Sequence, residues 1–215
     1  MLRRHLLSLL FLLLPAIVVA EQTAKPFIEL PATPELLAEV RQGGFVLYMR
    51  HGATDSAQPD QVPIVLNDCR TQRPLTEQGR EEIRLVGQAV RQWGLPVDKV
   101  YASPLCRAKE SAQLAFGNEI EVVNELMYTA HLTSEEKRPI IAMTRQLLSQ
   151  PVSPGSNRVL VAHAPNLADL MGYFPQVEGT LVIFRPTETG FEYLASIYPQ
   201  QWADLIAPRK GEPNE

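Results

Sequence analysis

Two arginines and two histidines stand where short apolar runs give way to polar residues. Phe45 to Met49 runs into Arg50, His51 and Gly52; "KVYAS" brings Ser103, then Pro104 and Arg107; "RVLVAH" ends in His163, with Asn166 shortly after. An arginine offers a planar fork of donors that matches phosphate oxygens, and a second arginine spreads the recognition over the whole group. Neutral imidazole is a competent nucleophile toward phosphorus, so one histidine could attack while the other donates to the charged oxygens. A lone histidine at a strand end is usually a packing residue. Here the conjunction outweighs that reading, because His51 and His163 both follow apolar runs. His131, in a polar stretch before Thr133 and Ser134, reads as solvent-exposed, and Gln72 and Arg73, near Cys69, could reach phosphate or substrate but read rather as a solvated loop.

These residues need a common edge, and the periodicities supply one. "TPELLAEVRQGG" carries Thr33 as N-cap, Pro34 in the first turn and Gly43 as stop. Thr76 caps a second helix whose Ile83, Val86, Val90 and Trp93 fall on one face, ended by Gly94 and Pro96. "KVYAS" then predicts a strand, "CRAKESAQLAF" a helix, "EIEVV" a strand and roughly Lys137 to Leu148 a helix with Pro139 near its start. "RVLVAH" is a further strand, "APNLADLMG" opens a short helix, and "TLVIF" with "FEYLA" forms a hairpin around Pro186 and Gly190. Between Gly52 and Pro74 no period exists, which marks a long loop of the kind that often carries function. The alternation predicts a three-layer α/β sandwich with a mostly parallel sheet. In such sheets ligands bind beyond the carboxyl ends of the strands, where the four basic residues would meet. Helices beginning near Cys106 and Pro165 would add N–H groups and positive dipole ends.

The amino terminus has another character. Arg3, Arg4 and His5 precede an apolar run from Leu6 to Val19, and Val18 and Ala20 suit a cleavage site before Glu21. Residues 1–20 therefore read as a secretory signal peptide, 21–32 as a lead-in and 33–215 as one catalytic domain, periplasmic or secreted, with no membrane span after cleavage. Removing Arg3 and Arg4 takes the formal charge from -4 to -6, which argues against a nucleic-acid partner. In an oxidising compartment Cys69 and Cys106 are expected to pair. Neither cysteine is followed six residues later by arginine, which excludes a cysteine-based phosphatase loop, and no short-range cluster has metal-ligand spacing.

"RHGATD", "LTEQGR", "YASPLCRAKESA" and "VAHAPNL", in that order, resemble the motifs of the histidine phosphatase superfamily, in its phosphoglycerate mutase-like branch. The resemblance implies a sheet of order 3-2-4-1-5-6 with strand five antiparallel, transient phosphorylation of His51, and phosphoryl binding by Arg50, Arg107 and His163 without metal or other cofactor. Asn166 is a further candidate binding residue or a helix cap. For the acid that protonates the leaving alcohol, the resemblance points to a glutamate after the third strand, for which Glu125 is nearest. Strand five runs against strand one, so the loop before it opens onto the same edge, and Glu178 is preferred to Glu125. Asp55 is a third candidate that, like Asp68, could instead cap a turn. The expected activity is hydrolysis of a phosphomonoester, the partner being a phosphorylated small molecule or envelope glycolipid. The alternatives are a phosphate-binding interaction domain without turnover and a mutase-like phosphotransferase.

Overall fold

The computed structural model describes residues 26–207; residues 1–20, expected from the sequence to be a signal peptide, lie outside the described residues. Six strands, β1 (Val46–Arg50), β2 (Val97–Ala102), β3 (Glu121–Val122), β4 (Asn157–Ala162), β5 (Leu181–Thr187) and β6 (Gly190–Ile197), form one sheet of order β3-β2-β4-β1-β5-β6. β1 pairs parallel to β4 and antiparallel to β5, as the resemblance implies. Helices α1 (Pro34–Val40), α2 (Glu77–Gln92), α3 (Cys106–Phe116), α4 (Ser134–Ser149), α5 (Ala164–Met171) and α6 (Trp202–Ile206) cover it.

The period of two along β1 separates the layers. Leu47 and Met49 face the cluster built with Leu37, Ile83, Val86 and Trp202, whereas Val46 and Tyr48 face Leu126, Leu148, Leu167 and Phe184. Each such fully buried side chain contributes roughly 1.5–3 kcal/mol relative to exposure, and β1, apolar on both faces, is anchored from both layers.

The caps read from sequence at Thr33 and Thr76 form, their side chains accepting from Leu36 N–H and Gly79 N–H. Helix α4 begins earlier than its expected bounds, at Ser134, because Thr133 and Glu136 make a reciprocal capping box and Pro139 sits inside the helix. β3 is only two residues long, at the sheet edge. The turn Pro199–Gln201 and helix α6, too short to show a period, are fixed by the buried Trp202.

Candidate active site

β1 delivers Arg50 and His51 to the carboxyl edge of the sheet, and neighbouring chains fix the backbone there. His51 N–H donates to the Ala162 carbonyl at 3.1 Å, and its carbonyl accepts from Gly179 N–H at 2.9 Å. The next residue must be glycine for a steric reason: a Cβ on Gly52 would lie 2.7 Å from Ile83 Cγ1 and 3.0 Å from the Gly79 carbonyl oxygen. His51 is 2% exposed, and its Nδ1 lies 2.9 Å from the Gly52 carbonyl oxygen. A carbonyl can only accept, so Nδ1 holds the proton and Nε2 keeps the lone pair. Burial first, then the Arg107 charge, pushes the His51 pKa well below the ordinary histidine value, and the Gly52 carbonyl opposes this. At neutral pH the imidazole is an uncharged base.

His163 enters from the end of β4 and is wholly buried, with its ring centroid 5.2 Å from that of His51. The Tyr48 hydroxyl clamps its backbone, donating to the His163 carbonyl at 2.8 Å and accepting from its N–H at 3.1 Å. Nε2 lies 2.7 Å from Ser103 Oγ, at the end of β2. With that hydroxyl donating to Nε2, the His163 proton sits on Nδ1, which has no protein partner. Burial, with the nearby His51 and arginine charges, lowers this pKa as well.

Arg50 donates through Nη1 to the Pro175 and Gln176 carbonyls, both at 2.7 Å, and Nη2 lies 3.3 Å from Glu178 Oε1. Arg107, on the first turn of α3, is 1% exposed and pairs with Asp60 at 3.0 Å. For both, burial lowers the pKa and the carboxylate opposes it. Arginine nonetheless stays protonated.

Of the buried polar atoms without a protein partner, five are N–H donors on this group: Arg50 Nε, Arg73 Nε, Arg107 Nε, Arg107 Nη2 and His163 Nδ1. Buried donors are ordinarily satisfied, so their concentration beside His51 marks a place prepared for an anion rich in acceptors.

In the structure Arg73 takes the less expected of the two readings its sequence allows, contact with the site over a solvated loop. Its backbone N–H donates to Asp60 Oδ1 at 2.8 Å, and its charge depresses the pKa of His51, His163, Arg50 and Arg107. The bridge between Cys69 and Cys106, which the structure contains, brings it there across a sequence separation of 37. Gln72 is also buried rather than solvated: its Oε1 accepts from Cys106 N–H at 2.7 Å, tying the same loop to α3.

Among the acid candidates, Glu178 reaches the site. It accepts from Thr54 Oγ1 at 3.0 Å and Thr54 N–H at 3.2 Å, and its Oε1 lies 3.9 Å from His51 Nδ1. Glu125 is exposed on the short turn after β3. Asp55 accepts from Ala57 N–H and the Gln58 amide, and Asp68 caps the turn Cys69–Thr71, so both serve as turn carboxylates. Asn166 donates to the Leu126 and Met127 carbonyls, holding the loop that carries Tyr128, whose ring packs 5.4 Å from His163 and 5.5 Å from the Arg107 guanidinium. His131 is exposed, against Tyr128. No group of three or more His, Cys, Asp or Glu among the described residues could hold a metal ion.

The family profile "Histidine phosphatase superfamily (branch 1)" matches residues 46–138. The protein histidine phosphatase SixA, solved with tungstate, shares the fold at a TM-score of 0.50 with 19% identity, covering 73% of this chain and 98% of its own. Two further solved structures are similar at 16% identity. The ecdysone phosphate phosphatase of Bombix mori, solved with tungstate, has a TM-score of 0.47 over 70% of this chain and 92% of its own. A phosphoserine phosphatase variant of Entamoeba histolytica, solved with phosphoserine, has 0.46 over 73% and 98%. No curated protein sequence matches this one. With the sheet order and the ordered motifs, the profile match supports assignment of the chain to the histidine phosphatase superfamily.

Proposed function

We propose that this protein is an exported phosphomonoesterase working through a phosphohistidine on His51. The observation that carries the reading is the set of five buried, unpartnered N–H donors beside an imidazole whose Nε2 keeps its lone pair. His51 Nε2 attacks phosphorus in line, and the bond to the leaving oxygen breaks as the N–P bond forms. Arg50, Arg73, Arg107 and His163 Nδ1–H hold the phosphoryl oxygens as charge redistributes. Glu178, oriented by Thr54, gives the departing oxygen its proton, so a neutral alcohol leaves. Water then attacks phosphorus and passes a proton to the Glu178 carboxylate. Cleavage of the N–P bond releases phosphate and restores His51. A phosphate-binding domain without turnover would have no use for a neutral imidazole with a free lone pair at the centre of its donors.

Export is supported by the basic and apolar start of the chain and by the pairing of Cys69 with Cys106. A partner in the envelope, either a small phosphoester or a glycolipid, fits that compartment. That location also disfavours a mutase of cytosolic intermediates.

The test is turnover of p-nitrophenyl phosphate by wild type and His51→Ala, with trapping of a phosphoenzyme that is labile in acid and stable in alkali. Absence of both turnover and a His51-dependent phosphoenzyme would sink the proposal. Fractionation of expressing cells, with export expected to depend on residues 1–20, tests the location.

A further inference from the structure

The phosphohistidine reading leaves open what lies on the other side of the scissile bond. Two aromatic rings bear on it. Phe174 is 40% exposed, yet it stands 5.6 Å from the Arg50 guanidinium, and the backbone just beyond it supplies the carbonyls that hold Arg50. Tyr128 is only partly buried and stands on Arg107 and His163. Two of the three arginines assigned to the phosphoryl group, Arg50 and Arg107, thus each carry a ring with remaining exposure. Single exposed apolar side chains are ordinary, and what sets Phe174 apart is its place against a guanidinium assigned to the phosphoryl group, where its free face can meet a ring of the substrate.

The charge balance narrows the class further. Three guanidinium groups act on His51, those of Arg50, Arg73 and Arg107. Two carboxylates oppose them, Asp60 on Arg107 and Glu178 on Arg50. With Glu178 carrying the proton it must donate, two positive charges are in excess. That equals the charge of one phosphate monoester dianion, and the donors counted above are consumed by its oxygens. No surplus cation from this group is left for a carboxylate or a second phosphate on the alcohol.

We infer that Phe174 and Tyr128 form a leaving-group subsite for phosphomonoesters of an uncharged alcohol that carries a flat ring. The inference rests on the phosphatase reading, and the experiment separates the two. Benzyl phosphate, ethyl phosphate and phosphoglycolate are all esters of primary alcohols, and they differ in a ring, in nothing, and in a carboxylate. Using kcat/KM of the full mature protein, benzyl phosphate should exceed ethyl phosphate by about tenfold, since ring contacts are worth roughly two- to tenfold each. Phosphoglycolate should fall below both. Phe174→Ala should reduce the benzyl-to-ethyl ratio several-fold, and Tyr128→Ala likewise, with Tyr128→Phe restoring it. The ratio is insensitive to damage shared by all substrates, and the exposed Phe174 can be shortened without opening the core. If no ester is hydrolysed and no phosphoenzyme forms, the phosphatase reading itself fails. If esters are hydrolysed but benzyl and ethyl phosphate agree within about twofold, if phosphoglycolate is preferred, or if neither alanine variant moves the ratio, the subsite is refuted.

Discussion

Asp60 offers the sharpest test of how this site is held together. Its Oδ1 accepts both from Arg107 Nη1 and from the Arg73 backbone N–H, so one oxygen fastens two of the three guanidinium-bearing residues. The Arg107 side chain is fully buried, and burial outweighs Asp60 in setting its pKa, so the ion pair only partly compensates for lost hydration. Asp60→Ala leaves that charge without its carboxylate. Breaking a buried pair from one side costs about 3–5 kcal/mol, and because Asp60 is 19% exposed, water entering beside it favours the lower end, about 3 kcal/mol. At roughly 2–4 °C per kcal/mol for a domain of this size, Tm should fall by about 6–12 °C. Asp60→Asn keeps an acceptor but no charge and should fall between the two. Inorganic phosphate near 100 times its Kd should return about 2.7 kcal/mol, because the dianion supplies counter-charge to the same guanidinium. Thermal unfolding with and without phosphate reads all of this. A Tm loss under about 2 °C in Asp60→Ala would refute the argument from a buried, half-compensated charge.

Other consequences are independent. His51 and His163 are both buried with folded pKa values depressed below the unfolded value near 6.5, so the unfolded chain binds more protons at mild acidity. Their stabilising contribution is fully present above pH 6.5 and is lost as pH falls below it, at roughly 2.7 kcal/mol per pH unit for the pair, until the folded values are reached. Urea unfolding from pH 7 to 5 measures the slope, which His51→Asn should halve; an unchanged slope would remove His51 from the account. Glu178→Gln should cost about 100-fold or more in kcat/KM on ethyl phosphate but under tenfold on p-nitrophenyl phosphate, whose leaving group needs little protonation; equal losses on both would deny Glu178 the role of acid. Replacing Cys69 and Cys106 together by serine should destabilise by roughly 3–4 kcal/mol on the chain-entropy account of a 37-residue span. It should also raise KM, because Arg73 loses its tether; stability lost with KM unchanged would leave Arg73 outside the phosphoryl site.

Why some of this was legible in the sequence and some not follows from the range of each interaction. The caps at Thr33 and Thr76, the apolar face of α2 and the strand-then-histidine segments are local, written within a few residues, and they survive folding nearly unchanged. Because those elements alternate along the chain, the sheet edge where Arg50, His51, Arg107 and His163 meet also follows from local signals. What lies around that quartet does not. Thr54 orients Glu178 from 124 positions away, Asp60 meets Arg107 from 47, and Arg73 arrives only through the Cys69–Cys106 bridge. In sequence all of them look like polar loop residues, because loop polarity is the same whether a side chain meets water or a buried ion. The cysteine pair was the one signal that could have corrected the Arg73 reading. Once Cys69 is joined to the residue before Arg107, a guanidinium four positions beyond Cys69 must lie near the first turn of α3, and covalent proximity to the arginine proposed to bind the phosphoryl group is a stronger statement than the polarity of its loop.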